Sequence, residues 1–327
     1  IALLAHMIII DPYAWAFMRI GSGFCVAGCY TIIESWLQSK VTNETRGRTM
    51  ASYRVVDMGA SLMSQLIIGI LEPASYVSYN LLALLCCATL IPLTLTKVAQ
   101  PETPKAPRLR PMLAISRSPL AAVGVVVAAL SGASFRMTGP IFGQQVGLEI
   151  TAIAYFLASF VLGGAIAQYP IGFIADKIDR RWVLIWLSFA AIISCIVTAN
   201  ITTINIYTLM ITAGFFGFTT FPIFSVAAAH AHDFAKDYER VELSAALMFF
   251  YAVGAIAAPY TASVLMESFG PSALFYLIAF GHAALVIFGF YRMLSRPSVE
   301  EKTDYIYSPR TSFLIGRLLK SHHKDNK

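Results

Sequence analysis

The sequence predicts an all-α, polytopic membrane protein on three observations: its composition, the length of its apolar runs and the placement of its basic residues. Of its 327 residues, 57% are hydrophobic and 13% are charged. That is about half the charged share of a soluble domain. A helix needs about 20 apolar residues to cross the hydrocarbon core. Nine segments reach that length: 12–37, 49–71, 76–97, 119–142, 150–175, 182–200, 205–230, 242–266 and 272–294. Residues 1–10, IALLAHMIII, read as the end of a tenth. Backbone groups in lipid must be satisfied within the segment, so these runs are expected as helices and not as open strands. Glycine, proline and small polar residues inside them suit helices that pack on one another.

Charge orders the crossings. One side takes the loops 38–48, 98–118, 176–181 and 231–241 and the tail from Arg292. With Lys97 at a loop edge, that side carries 21 of the 24 Lys and Arg residues. The loops of the other side carry none, but do hold Asp11, Glu72, Glu149 and Glu267. The three remaining arginines, Arg19, Arg54 and Arg136, lie inside apolar segments. Lys and Arg accumulate on cytoplasmic loops, so the basic side is read as cytoplasmic. The net charge of +6 is therefore a matter of membrane orientation and not of nucleic-acid binding.

The longest interior connection, 98–118, is rich in proline and basic residues and reads as a linker between two bundles. Six apolar segments follow it. Three and the stub precede it. The halves also echo each other. Arg46 and Arg240, Gly23 and Gly217, and Phe24 and Phe218 are each 194 positions apart, the mark of parallel repeats in transporters. The expected organisation is 1–97 for the first bundle, 98–118 for a cytoplasmic linker, 119–294 for a six-helix bundle and 295–327 for a cytoplasmic tail. Within that tail, 312–324 alternates apolar and basic residues. It reads equally as an amphipathic surface helix or as disorder.

Several residues carry chemistry. The stretch GFIADKIDRR, 172–181, lies on a basic-side loop. There Gly172 permits close packing, Asp176 can face a helix N-terminus, and Arg180 and Arg181 can pair with carboxylates on neighbouring helix ends. The stretch RIGSGFCVAG, 19–28, places Arg19 about 10 Å from the outer end of its helix at 1.5 Å per residue. Gly23 and Gly28 follow it, suited to close approach by a neighbour. Arg19 either faces water or a carboxylate, or snorkels to headgroups. Arg136, near Gln144, reads either as a holder of an anionic solute or as a headgroup contact. Arg54 and Asp57 lie a turn apart and are expected to pair.

The histidines and cysteines read more simply. His6 and His282 read as hydrogen-bonded packing residues. His230, His232 and Asp233 form an HxHD string that lacks further ligands for a metal. Cys25, Cys29, Cys86, Cys87 and Cys195 form neither a CxxC pair nor a disulfide framework. No nucleophile–base constellation, Walker loop or dinucleotide fingerprint is present. An enzyme is therefore not expected, nor a cofactor.

The motifs resemble the major facilitator superfamily. The loop 172–181 is similar to its loop signature, with Asp179 where the common pattern has glycine, and 19–28 is similar to its fourth-helix pattern. IESWLQSKVTNETRGR, 33–48, and QYPIGFIADKIDRR, 168–181, resemble its YcaD-like bacterial branch, which Asp179 itself fits. The drug-antiporter signature of the fifth helix is absent from DMGASLMSQLIIG, 57–69. The resemblance covers 1–294. It implies two six-helix bundles, about ten of twelve helices within this chain, with the first two lying ahead of Ile1. It implies secondary transport of a small solute by alternating access, with a proton as one candidate for coupling, in the bacterial inner membrane and as a monomer. The alternative is a receptor or scaffold of the same fold. By the same resemblance Gly172, Asp176, Arg180, Arg181, Glu34, Arg46 and Arg240 are gating residues. Arg19, Arg136 and Gln144 are substrate-binding candidates because an arginine inside a membrane segment points to function by default.

The charge distribution yields a direct expectation. A cytoplasm-reporting fusion after Lys327 is active and a periplasm-reporting one is silent; the reverse pattern contradicts the orientation.

Overall fold

A computed structural model describes residues 2–40, 43–71, 75–95, 109–201, 205–236 and 239–295. The side chains of 34–51 and of Arg54 lie outside the described residues. All regular structure among the described residues is helical. In chain order the helices are α1 (Ala2–Ile8), α2 (Pro12–Lys40), α3 (Asn43–Ile68), α4 (Tyr76–Ala88), α5 (Leu90–Leu95) and α6 (Pro111–Arg117). They continue as α7 (Pro119–Gln145), α8 (Ile150–Lys177), α9 (Arg180–Ala199), α10 (Ile206–His232), α11 (Arg240–Phe269) and α12 (Ala273–Ser295). Among the described residues, the six helices α7–α12 are long and apolar enough to cross a membrane.

Two of the expected segments differ in detail. The apolar run 76–97 divides at Thr89 into α4 and α5. Pro92 has no N–H to give to the carbonyl of Ala88, and its ring crowds that carbonyl. The Thr89 hydroxyl instead bonds back to the Cys86 carbonyl at 2.7 Å. The linker 98–118 carries a helix at its end. Pro111 opens α6, where a missing N–H costs nothing. Ser118 then closes it and caps α7, accepting from the Ala121 N–H at 3.2 Å.

α7–α12 form one bundle. α10 packs along α8 and also on α9 and α7, α11 lies on α7, and α12 fills the angle between α9 and α7. The core has two parts. Toward the basic ends it is aliphatic and rich in alanine, with Ala121, Val125, Ala175, Ile223 and Ala227. Toward the opposite ends it is built on phenylalanine. Phe135 is fully buried, with its ring centroid 4.3 Å from Phe160, 5.0 Å from Phe156 and 5.3 Å from Phe216. Between the two parts α8 and α10 come within backbone contact. A Cβ on Gly163 would overlap the Gly214 carbonyl, and one on Gly217 would overlap that of Phe160.

α7 ends in a Schellman motif. The Gly147 N–H bonds to the Gln144 carbonyl at 3.0 Å and the Leu148 N–H to that of Gly143 at 2.9 Å. Gly147 takes φ 82°, a conformation that glycine adopts without strain.

The earlier helices meet this bundle chiefly through α3 on α8. Thr151 donates to the Gly69 carbonyl at 3.4 Å, and Met58 and Leu62 pack on the phenylalanine core. α2 is largely exposed where its side chains are described. Among the described residues, Gly23 and Gly28, expected to receive a neighbouring backbone, have nothing within 4 Å of an added Cβ.

These contacts separate two kinds of glycine. Gly217→Ala is expected to lower stability by about 1–3 kcal/mol, since the added methyl group displaces a packed backbone. Gly59→Ala, where nothing lies within 4 Å, should be neutral or stabilising by helix propensity. Unfolding of the purified variants in detergent separates the two, and equal losses would contradict the packing.

Candidate functional site

The residues singled out in 172–181 gather at the basic ends of α8, α9 and α10. α8 ends at Lys177, and Ile178 is extended. Asp179 then starts α9 by accepting from the Arg181 N–H at 3.0 Å. Its φ of −60° and ψ of 122° are ordinary for an N-cap. The turn therefore needs no left-handed residue, and an aspartate serves where the common pattern has glycine.

Arg180 is the centre of the cluster and is 1% exposed. Its Nη1 donates to Asp233 Oδ1 at 2.5 Å and to the Ala229 carbonyl at 3.2 Å. Its Nη2 donates to Asp176 Oδ1 at 3.2 Å. One guanidinium thus ties the end of α8, the start of α9 and the end of α10. The carbonyl end of α10 is also where a cation is favoured. The Asp233 side chain is 4% exposed and that of Asp176 is 44% exposed, so the two bonds differ in weight.

Arg181 is buried and forks onto Asp179, with Nε at 3.0 Å and Nη2 at 2.6 Å from Oδ2. Burial works to raise the pKa of the Asp179 carboxyl. The hydrogen bonds and charge of Arg181 outweigh it and hold that carboxyl below its ordinary value.

A second set of pairs fastens α6 to α11. Arg117 meets Glu239 at 2.6 Å and Arg110 meets Glu242 at 3.2 Å. The hydrogen bond from Arg117 holds the Glu239 carboxyl below its ordinary value against burial, assisted by the Lys236 N–H. Arg240 is buried beside it. Gly172 is buried on α8. Glu34 and Arg46 lie outside the described side chains.

The HxHD string disperses. His230 sets its ring edge against Phe234, with centroids 5.2 Å apart. His232 Nε2 shares a hydrogen bond with the Ser244 hydroxyl at 3.1 Å, and Asp233 serves Arg180. His282 is fully buried, 2.8 Å from the Ser131 hydroxyl through Nε2. That bond joins α12 to α7 and makes His282 a packing residue. His6 Nδ1 meets the Ala2 carbonyl at 2.7 Å within α1.

Inside the apolar stretch, Arg136 is exposed on α7. Its guanidinium carbon lies 5.7 Å from the centroid of the Phe221 ring on α10, within cation–π range. Gln144 is exposed three turns or less beyond it, toward the end of the same helix, and Arg19 is exposed on α2. Asp57 accepts from the Tyr30 hydroxyl at 3.1 Å; its expected partner Arg54 lies outside the described side chains. Sequence reasoning did not single out Arg117, Arg110, Glu242 or Phe221. The two pairs join residues 122 and 132 positions apart, and no local pattern points to such partners.

Comparison with known proteins places this arrangement. The Major Facilitator Superfamily model matches residues 121–323. The chain is 26% identical over 298 residues to an uncharacterized MFS-type transporter of Enterobacter sp. (strain 638), covering 90% of this chain and 75% of that one. It is 27% identical over 280 residues to the MFS-type transporter YcaD of Salmonella heidelberg (strain SL476). It is 28% identical over 280 residues to YcaD of Escherichia coli O17:K52:H18 (strain UMN026 / ExPEC). Each of those two alignments covers 83% of this chain and 70% of the relative.

The ion pairs set two stability expectations. Asp233→Ala leaves Arg180 buried with its better-shielded carboxylate gone, and is expected to cost about 3 kcal/mol. Asp176→Ala, at an exposed carboxylate, should cost about 1 kcal/mol or less; equal costs would contradict the geometry. The lowered carboxyl of Glu239 contributes stability above its ordinary pKa of about 4, and that contribution is lost as pH falls through the lowered value. The gap in Tm between the wild type and Glu239→Gln should therefore hold near neutral pH and close below about pH 4.

Proposed function

We propose secondary active transport of a small solute as the activity of this chain, which belongs to the Major Facilitator Superfamily. The finer reading is alternating access by two six-helix bundles. The remainder of the first is 1–97, the second is 119–294, 98–118 is a cytoplasmic linker and 295–327 a cytoplasmic tail. The protein is multi-pass in a bacterial inner membrane, monomeric, with a proton as candidate coupling ion.

The observation that carries the reading is Arg136, an exposed arginine within an apolar helix of a bundle whose other described arginines lie at helix ends. A lipid-facing arginine costs about 2.5–3.5 kcal/mol at the membrane centre. The face of Phe221 offsets part of that cost, and a negative group on the solute would offset more. The solute proposed is therefore one with a carboxylate or another negative group, flanked by Arg136 and Gln144 on one side and Arg19 on the other. α3 meets α8 at the ends away from the basic side, which supports contact between the two halves on the outer side. Gly172, Asp176, Arg180, Arg181, Glu34, Arg46 and Arg240 act at the cytoplasmic ends, where closure has to occur.

Uptake of a panel of labelled carboxylates into proteoliposomes, under an imposed pH gradient, tests the reading. At least one solute should accumulate. Arg136→Lys keeps the charge but loses the bidentate fork and should lower uptake about tenfold while leaving Tm within a few degrees. Asp176→Asn should slow uptake without reducing insertion. Impermeant thiol labels should reach cysteines placed at 19 and 136 in a cysteine-free background. If neither position labels and both Arg→Leu variants transport normally, these arginines are headgroup anchors and the site reading fails.

A further inference from the structure

A notch at the basic end of the α7–α12 bundle belongs to neither the solute path nor the Arg180 lock. It opens where α7 begins, α9 begins, α10 ends and α12 ends. It is shallow, with a cavity volume of about 10 Å³, so it seats an oxygen of a group that stays at its mouth, and its lining includes Ser118, Arg181, His230, Phe234 and Arg292. Two arginines, a histidine and a serine line it, and among the described residues no carboxylate does. Ser118 is 2% exposed and His230 is 6% exposed, so the polar groups are set into the wall.

The charges are unequal. Arg181 is offset by Asp179, onto which it forks. Arg292 is half-buried on α12, and among the described residues nothing donates to it, accepts from it or pairs with it. The notch is therefore positive by the charge of Arg292. Ser118 already accepts from the Ala121 N–H, which leaves its hydroxyl hydrogen to donate. Arg292 and Ser118 both donate, and an anionic oxygen accepts from both.

The outside of the notch is apolar. Trp182 and Trp186 stand one turn apart on α9, stacked with centroids at 6.4 Å. Trp182 meets the edge of Phe290 on α12 at 6.0 Å. All three are exposed. α9 and α12 pack on each other and on other helices of their own bundle, so this aromatic shoulder turns outward. Aromatic rings of this kind settle at headgroup depth in a membrane. A free ion has no use for them, whereas an acyl chain does.

We propose that the notch holds the phosphate of an anionic phospholipid from the cytoplasmic leaflet. The phosphate oxygens meet Arg292 and Ser118, with Arg181 and His230 behind them. The acyl chains run down the outward face of Trp182, Trp186 and Phe290. Basic pockets between membrane helices on this side take lipid headgroups by the same physics. The inference rests on the cytoplasmic orientation of the basic side and is independent of the solute carried.

The test is native mass spectrometry of the purified protein titrated with dioleoylphosphatidylglycerol, with dioleoylphosphatidylcholine in parallel. The wild type should retain the anionic lipid in preference. Arg292→Gln should weaken that retention about fivefold, as expected for one basic contact at a membrane surface. Arg292→Lys should keep most of it, and Arg110→Gln, at an exposed arginine outside the notch, should leave it unchanged. Equal retention by the wild type and Arg292→Gln overturns the proposal. So does an equal loss in Arg110→Gln, which makes the attraction one of general surface charge. Displacement of the lipid by millimolar inorganic phosphate overturns the lipid as occupant and assigns the notch to a soluble anion.

Discussion

A guanidinium that is 1% exposed has to be surrounded by acceptors, and the basic end of the bundle is arranged around that need for Arg180. Desolvating an arginine costs several kcal/mol unless each lost water is replaced. Asp233, the Ala229 carbonyl and Asp176 meet its two terminal nitrogens from α10 and α8. The ends of three helices are thereby held at fixed separation. Asp179 starts α9 at the one residue before Arg180, so the cap and the lock are set by adjacent positions. Displacing any of these helix ends would strand a buried charge.

Farther into the bundle the constraint changes from charge to volume. Glycines at the α8–α10 crossing bring backbones together, and phenylalanines then fill the wider space toward the opposite ends. Phe221 joins the two regimes. It packs against Phe160, with centroids at 4.8 Å, and it also lies under Arg136. Pro222 follows it and Pro170 interrupts α8. Both helices thus lose a backbone bond near the level where the arginine is exposed.

How much of this was legible in the sequence depended on whether the controlling interaction was local. Helix number and order after 118 follow from apolar length, and the six helices α7–α12 lie within a few residues of the segments read from sequence. The break at Thr89 needed the crowding of Pro92 against Ala88 to be weighed above a continuous apolar run. α6 was hidden in a linker because its partners are distant in sequence: Leu113 and Ala114 are buried in the bundle core, and Arg117 and Arg110 meet Glu239 and Glu242 more than a hundred positions away. Arg180 could be read as a pairing residue from its motif, and topology brought the end of α10 beside it. The Arg136–Phe221 contact could not be read, because it depends on the rotation of two helices about their axes. A glycine spacing alone does not determine what is packed against it: among the described residues, Gly217 receives a backbone and Gly23 nothing.

Burial and pairing together sort the arginines of this chain by use. Arg180, Arg181 and Arg117 face carboxylates, and their charge is spent on holding helix ends. Those pairs are structural by the plainest criterion, since the partner is already in place and no ligand is required to complete it. Arg136 and Arg292 are placed differently. One lies over an aromatic ring within an apolar helix, and the other lines a notch with no acid among the described residues of its wall. A cation in such surroundings is placed to meet an anionic group that arrives. For Arg136 the position along α7 points to a solute, and for Arg292 the outward aromatic shoulder points to a lipid. The two proposals therefore rest on one electrostatic argument applied at two depths in the membrane, and they are separated by experiments that read different ligands.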